Sequence, residues 1–575
     1  MGPNLDITIN RRRLLFATAG LAGVGLLAAC GGDDDDDDTP ATTASGTGGE
    51  ATATTPASSS GDATEAASDE GEATETGAEP ASTEASTDEG EPKRGGILLI
   101  GQDFGPQQMD PTLTNAWAST NVMEFVYTGL LRWTADMEIE PDLATDYEIV
   151  DELTYVFNLR EGVKFHNGKD FSSEDVKFTF ERILNPDTAS PRLTTYADIE
   201  SIEAVSPTQV QFNLKQPNAP LLRNMATIPS GAIVPAGATD DELNDEAPGT
   251  GPFRFVEHAL DQEVILEKFE DYYEEGLPYL DGVTMKLLAD DTSISAALRS
   301  ETVHMAWLKD PKVAENVSKS TDGLESVPGV SSRYLPIIFK LTQAPFDDVR
   351  VRQAMSLALD REAIVRGVLG GFGQVGTFLP PSQLAGYTGD GSDLPYYTRD
   401  VDQAKALLAE AGYDKLEIPE FKVVAANALD VQCAQIMKEQ WAEANIDVTI
   451  NPMEVGAILD DSRAGNYAMI MIGGVWQPDP SNEVSRFLST GSTGKAMEIS
   501  DAELDELIMS GTQEIDPEKR VAIYKQIEQH VLEQVYVIVP YTYPLRWELV
   551  WNYVQGYDVT AANSRMSVRK TWLDV

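Results

Sequence analysis

Cysteine is nearly absent from this chain of 575 residues, which contains only Cys30 and Cys433. Two cysteines allow at most one disulfide, and any other use of Cys30 removes even that one. Histidine is also scarce, with four residues that lie far apart along the sequence. Metal sites built from His and Cys need several ligands at short spacing, so the sequence predicts neither a metal site nor a metal cofactor.

Positive charge is scarce as well, with 42 Lys and Arg against 94 Asp and Glu. Residues 31–92 contain no Lys, Arg, aromatic residue, Leu, Ile, Val or Met, but they contain 18 carboxylates. Such a composition cannot form a hydrophobic core, and its charges repel one another, so we predict a disordered acidic linker over residues 30–93. When the 18 linker acids, Asp6 and the three arginines at 11–13 are left out, 75 acidic and 39 basic residues remain. The resulting charge near −36 argues against nucleic acid as a partner, because phosphate binding needs a positive surface.

A long apolar run is missing too. The longest stretch, residues 14–29, is shorter than the roughly 20 residues of a membrane span and contains three glycines. Three arginines precede it, and Leu27-Ala28-Ala29-Cys30 ends it. This pattern predicts a lipoprotein signal peptide, removed as residues 1–29, with a lipid on Cys30. The predicted location is therefore extracytoplasmic, anchored to the cell membrane. The basic residues fit both the general secretory route and the twin-arginine route.

The rest of the chain shows strand and helix patterns in alternation. Apolar residues alternate with polar ones over 155–159 and again over 210–214, as in half-buried strands. Helical spacing follows Ser172 or Ser173, continues over 347–369, begins again after Asp400 with Gly412 at its end, and covers 429–441 with Cys433 on its buried side. These patterns predict an α/β protein with more than one sheet.

Motifs of catalysis are not found. Gly370-Gly371-Phe372-Gly373 does not lead from a strand into a helix with Lys-Ser/Thr, so it is not a phosphate-binding loop. No Gly-x-Ser-x-Gly nucleophile motif occurs. The turn at His166-Asn167-Gly168 attracts attention because it holds one of only four histidines.

Several motifs in order resemble the extracellular solute-binding proteins of peptide and nickel ABC importers, of the dipeptide- and oligopeptide-binding type. They are Met109-Asp110-Pro111, FVYTGLL at 125–131, YVFNLREGVKFHNG at 155–168, SEDV at 173–176, GTGPF at 249–253, PFDDVRVRQA at 345–354 and DPEKR at 516–520. The resemblance covers about residues 95–560. It implies that the turn at 166–168 is a structural turn leading into the helix at Ser173.

The resemblance implies a two-lobed fold of the periplasmic-binding-protein type with an additional small domain and a cleft that closes by hinge motion. The implied domains are a discontinuous lobe I (94–140, 250–335 and 540–575), a small domain II (141–249) and a lobe III (336–539). Ligand is expected between the lobes.

The resemblance also points to ligand-binding residues. Gly473-Gly474-Val475-Trp476-Gln477-Pro478-Asp479 follows an apolar strand-like run. In peptide-binding relatives, a carboxylate three positions after this tryptophan pairs with the peptide α-ammonium, and Trp476 and Asp479 keep that spacing. Gly474 lies in the turn before them. Asp479 fits a structural Asp-Pro turn equally well, so both roles stay open. A second wall is expected at Asn115, Ala116 and Trp117, as an exposed strand that pairs with peptide backbone.

The sequence therefore predicts a lipid-anchored importer receptor without catalytic activity or cofactor, and a monomer. Its expected partners are a small peptide or related solute, an ABC permease with its ATPase, and the membrane through Cys30. A nickel chelate, an oligosaccharide or another organic solute remains an alternative ligand. A secreted hydrolase and an adhesion or chemotaxis receptor are alternative functions.

Overall fold

The elements of the protein follow from a computed structural model that describes residues 91–114, 116–135, 137–379, 391–472, 479–491, 497–558 and 566–575. All of these lie within one compact unit, Ala85–Val575. The predicted signal peptide, Cys30 and most of the predicted linker lie outside the described residues. No helix of the described part of the chain is long and apolar enough to cross a bilayer.

The strands, in chain order, are β1 (Ile97–Gln102), β2 (Leu131–Trp133), β3 (Ile139–Pro141), β4 (Ala144–Asp151), β5 (Thr154–Leu159), β6 (Ile199–Ser206), β7 (Gln209–Leu214), β8 (Phe253–Ala259), β9 (Glu263–Lys268), β10 (Gly282–Leu287), β11 (Met305–Trp307), β12 (Leu324–Tyr334), β13 (Ile337–Phe339), β14 (Leu416–Val424), β15 (Ile446–Met453), β16 (Met469–Met471), β17 (Val537–Ile538), β18 (Thr542–Trp551), β19 (Val554–Gln555) and β20 (Trp572–Leu573).

The helices are α1 (Trp117–Val126), α2 (Ser173–Leu184), α3 (Leu221–Met225), α4 (Asp240–Asp245), α5 (Asp291–Arg299), α6 (Pro311–Ser320), α7 (Val349–Leu357), α8 (Arg361–Leu369), α9 (Val401–Glu410), α10 (Ala428–Glu443), α11 (Val455–Ala464), α12 (Pro480–Leu488), α13 (Ala502–Gln513) and α14 (Pro517–Gln534). Short 3₁₀ turns cover Pro186–Thr188 and Met566–Lys570.

Three large sheets organise the described chain, beside two two-stranded sheets, β2-β3 and β19-β20. A seven-stranded sheet has the order β12-β18-β11-β1-β10-β9-β8, a four-stranded sheet β4-β5-β7-β6, and a five-stranded sheet β15-β14-β16-β13-β17. The mixture of several sheets and helices confirms the predicted α/β architecture. The strands of each large sheet fall within one of the predicted domains, while the domain boundaries themselves stay a prediction.

The five-stranded sheet is buried on both faces, as expected when helices cover both sides. Alternate residues of its strands belong to two different hydrophobic clusters. Phe339 and Met471 pack into one cluster, whereas Ile338 and Ile470, their sequence neighbours, pack into the other. This alternation follows from the two-residue period of a strand. Because both faces of the sheet are covered, its side chains can reach solvent only at the strand ends.

The predicted local elements are mostly confirmed. Strands β5 and β7 cover the two alternating runs, and Ser172 caps α2 through Asp175, whose Oδ2 accepts from the Ser172 N–H at 2.8 Å. Cys433 is fully buried in α10. The continuous helix predicted over 347–369 is wrong, because it divides into α7 and α8. Asp360 begins the second helix, since its side chain accepts from the Ala363 N–H at 2.8 Å.

The glycines of the 249–253 motif allow a close backbone contact. A Cβ at Gly249 would lie 1.9 Å from the carbonyl oxygen of Val126 at the end of α1, a distance no atom pair tolerates. We predict that Gly249→Ala lowers the free energy of unfolding by about 1–3 kcal/mol or more, as overpacking does. Gly456 in α11 has no atom within 4 Å of such a Cβ, so Gly456→Ala is the matched control.

For Gly456→Ala we expect the free energy of unfolding to rise by up to about 1 kcal/mol, because alanine has a higher helix propensity than glycine. Urea titration of both variants measures the difference. Equal stabilities of the two variants would contradict the close contact.

Candidate functional site

The parallel strands of the two larger sheets end at edges where α/β proteins bind ligands. In the seven-stranded sheet β1 pairs in parallel with β10 and β11, and in the five-stranded sheet β14 pairs in parallel with β15 and β16. Ligands of open α/β sheets bind just beyond the carboxyl ends of such strands. The candidate site therefore lies beyond β1 and β11 in one sheet, and beyond β14 and β16 in the other.

Two passes of the chain connect these sheets. All strands of the five-stranded sheet lie within residues 335–541, which we call the 335–541 segment. The chain enters it after β12 and leaves it before β18, and these two strands form an antiparallel pair from Leu324↔Trp551 to Tyr334↔Thr542. Two adjacent passes between two halves are the arrangement in which hinge closure occurs.

The carboxyl edge of the seven-stranded sheet carries a pair of tryptophans. Trp307 ends β11, and Trp117 begins α1. Their ring centroids lie 6.1 Å apart at 68°, an edge-to-face contact, and both side chains are partly exposed. Aromatic pairs of this kind form rigid apolar walls that need little ordering when a ligand arrives.

The exposed strand expected at 115–117 is not what the structure shows. Ala116 is extended, with φ −67° and ψ 128°, but it is the residue before α1, and its carbonyl accepts from the Thr120 N–H at 3.0 Å. The helix forms because the following residues bury Val122, Phe125 and Val126 against the core. Trp117 is thus a helical residue at the edge of the sheet. Asn115 lies outside the described residues.

The second candidate wall follows β16. Met469 and Met471 are fully buried, so β16 itself is part of the core. Gly474 and Trp476 lie outside the described residues, and their predicted roles stay predictions. Asp479, the last residue of the predicted 473–479 motif, is the N-cap of α12.

Asp479 is fully buried and both of its oxygens are bonded. Oδ1 accepts from Arg520 Nη2 at 2.6 Å and from the Ser481 N–H at 3.0 Å, and Oδ2 accepts from Arg520 Nη1 at 2.7 Å. Burial alone would raise the pKa of Asp479, but the charge and hydrogen bonds of Arg520 outweigh it and hold that pKa below its ordinary value. These contacts fit the structural alternative, in which Asp479 caps a helix, better than an open carboxylate for an ammonium group.

Sequence reasoning did not single out Trp307 or the role of Arg520. Trp307 lies in a short apolar run, residues 305–308, which is a weak signal by itself. Arg520 stands in the 516–520 motif, but nothing in the sequence relates it to a carboxylate 41 positions earlier. His166, in contrast, has the structural role expected of it. Its Nε2 lies 2.9 Å from the Gly251 carbonyl oxygen, and burial lowers its pKa to about 4.

Metal ligands do not gather in the described part of the chain, where no group of three or more His, Cys, Asp or Glu side chains has the geometry to hold an ion.

Glu483 gives this region a pH dependence. The side chain is 3 % exposed in α12 and accepts a hydrogen bond from the Tyr334 hydroxyl at 3.2 Å. Burial raises the pKa of Glu483 to about 7, from an ordinary value of 4.5. The folded protein therefore holds a proton that the unfolded chain loses above about pH 4.5. The stability that this group contributes is present below that pH and is lost as the pH rises through about 7.

We predict that the free energy of unfolding falls less between pH 5 and pH 8 in Glu483→Gln than in the parent. The expected change is at least about 1.4 kcal/mol, which corresponds to one pKa unit. Urea unfolding at the two pH values measures it. The exposed Glu506→Gln is the control, and an equal pH dependence in parent and Glu483→Gln would contradict the prediction.

Fold and site together define a two-lobed solute-binding protein. Residues 138–495 match the family described as bacterial extracellular solute-binding proteins, family 5 Middle. The match covers more than half of the chain, so the chain belongs to this family of ABC importer receptors. The family resemblance drawn from the motifs is confirmed.

Individual relatives agree with this assignment. The chain is 27% identical over 530 residues to the oligopeptide-binding protein AppA of Bacillus subtilis, covering 87% of this chain and 95% of the relative. It is 28% identical to di/tripeptide-binding protein 2 of Pseudomonas aeruginosa over 507 residues, covering 81% and 93%.

Solved structures show the same fold. AppA of Bacillus subtilis in complex with a nonapeptide has a TM-score of 0.73 at 26% identity, covering 84% of this chain and 100% of that one. The Campylobacter jejuni protein NikZ with nickel and L-histidine has a TM-score of 0.71 at 23% identity, covering 81% and 96%. At that identity, the second likeness concerns the fold alone.

Proposed function

We propose that this protein is a lipid-anchored receptor that captures small peptides or related solutes between two closing lobes and delivers them to an ABC permease. One observation carries the proposal: two sheets present the carboxyl ends of their parallel strands, and only two adjacent chain passes, at β12 and β18, connect them among the described residues. A solute that contacts both edges favours the closed arrangement by the extra affinity it has there.

The names of the relatives support a peptide ligand. The two curated relatives above are binding proteins for oligopeptides and for di- and tripeptides. The Trp117–Trp307 pair supplies an apolar face for ligand side chains or for a flat ring. A receptor of this kind needs no catalytic residues, and we propose that it performs no turnover.

Anchoring and partners rest on the sequence. Residues 1–29 would be removed, and the acidic segment 30–93 would act as a spacer between the lipid on Cys30 and the folded part. The permease and its ATPase are the proposed partners, and the receptor is proposed to act as a monomer. Mass spectrometry of the membrane-extracted protein tests the anchor. A mass that begins at Cys30 with an attached lipid supports it, and an intact N-terminus contradicts it.

Titration calorimetry with a library of di- to pentapeptides tests the ligand class. We expect saturable binding of at least one peptide group with one site per chain. Binding of a nickel–histidine chelate or an oligosaccharide, with no binding of any peptide, would support the receptor function and contradict the peptide as ligand class. Hydrolysis of the added compounds would contradict the absence of turnover.

A further inference from the structure

One stretch of the chain supplies several polar contacts to the 335–541 segment. Residues 216–224 make three hydrogen bonds and one ion pair with described residues of the 335–541 segment. This stretch, which we call the docking strip, follows the four-stranded sheet and includes most of α3.

The docking strip contacts the ends of two helices. The Ala219 N–H donates to the carbonyl of Thr512 at 2.9 Å, at the end of α13. The Asn482 amide in α12 donates to Oδ1 of Asn224 at 2.8 Å. Asn224 is only 4 % exposed, so its amide is a buried partner and not a surface contact. A buried amide pair is orientation-dependent, which makes it a specific contact.

A charged contact reinforces the amide pair. Arg223 packs over the ring of Trp133 at 5.2 Å, and its Nε lies 3.9 Å from Oδ2 of Asp479. Asp479 is also bonded to Arg520 of its own half. The Asp479 carboxylate is therefore placed between an arginine of each half of the molecule.

Helix α12 joins this contact to the chain pass at β12. Its first turn includes Asn482, which contacts the docking strip, and Glu483, which contacts Tyr334 at the end of hinge strand β12. A shift of α12 thus changes the Tyr334 contact and the docking-strip contact together.

We propose that the docking strip is an interlobe contact that stabilises the docked arrangement of the two halves and thereby sets ligand affinity from outside the site. A contact present in only one arrangement adds its free energy to that arrangement, and a ligand that prefers the same arrangement then binds more tightly. Asn224, Arg223 and Asn482 act as positioning residues that need not touch the solute. The proposal rests on hinge closure and not on the identity of the solute.

Distance measurements without added ligand test the proposal. Nitroxide labels at Glu200→Cys, in β6 of the four-stranded sheet, and Glu506→Cys, in α13, report the separation of the two halves in the full chain carrying Cys30→Ser. Both label positions are exposed, whereas Cys433 is fully buried. We expect Asn224→Ala and Asn482→Ala each to lower the ratio of docked to undocked molecules about fivefold, the effect of one lost neutral hydrogen bond. The double variant should shift it little further, because both changes remove the same contact.

Asn213→Ala is the matched control, since the Asn213 amide bonds Ser201 and Glu203 within its own sheet. Its distance distribution should equal that of the parent. Thermal unfolding checks that each variant folds, and Asn482→Ala tests the contact independently from the other half. Folded variants with the parent's distance distribution would overturn the proposal. A failure of peptide binding would instead concern only the ligand class.

Discussion

Arg520→Met is expected to lower the free energy of unfolding by about 3–5 kcal/mol, because it leaves a buried carboxylate without its main partner. Asp479 is fully buried, and the Arg520 side chain is 4 % exposed. Arg520 also donates to the Gly511 carbonyl at 2.8 Å, so the guanidinium connects α12, α13 and α14. Urea titration at neutral pH measures the loss.

Arg463→Met is the matched control. Arg463 forms an ion pair with Asp460 at 3.1 Å, but the two side chains are 73% and 80% exposed. Exposed pairs contribute about 0–1 kcal/mol, so this variant should unfold almost as the parent does. Equal losses in Arg520→Met and Arg463→Met would show that the buried pair does not hold α12 in place.

Trp117→Ala should weaken solute binding by about 2 kcal/mol or more, roughly 30-fold, as expected for an aromatic anchor at a binding surface. The change removes one wall of the Trp117–Trp307 pair at the carboxyl edge of the sheet. Trp117→Phe keeps an aromatic face and should lose much less. Calorimetry with the peptide that binds best to the parent measures both variants.

Tyr279→Ala is the control for a general effect of removing an aromatic ring. Tyr279 is partly exposed and precedes β10, at the opposite edge of the same sheet, where it packs against Arg94. Its truncation should leave affinity unchanged. A loss in Tyr279→Ala as large as that in Trp117→Ala would place the solute elsewhere or reveal a loss of folding.

The local elements were predictable because their signals are local. Ser172 with Asp175 three residues later marks the start of α2, and Asp400 and Gly412 mark the two ends of the α9 region. The break between α7 and α8 was missed, because the apolar spacing continues through Asp360 although its side chain caps a new helix.

The site was less predictable because its determinants are distant in sequence. The spacing of Trp476 and Asp479 is the same whether the carboxylate is open or paired, and the partner that pairs it is 41 residues away. Likewise, the residues around Trp117 suit a strand or a helix until the burial of Phe125 and Val126 decides between them. Sequence located these regions but not the roles of their side chains.

Native mass spectrometry of the receptor, extracted gently from its own membrane, tests the central claim most directly. A receptor that closes over its solute should retain one small molecule per chain, and fragmentation should identify a peptide or a related solute. The Trp117→Ala variant, extracted in the same way, should carry little bound small molecule. An empty parent protein that also shows no mass shift with the di- to pentapeptide library, the nickel–histidine chelate or oligosaccharides would contradict the account.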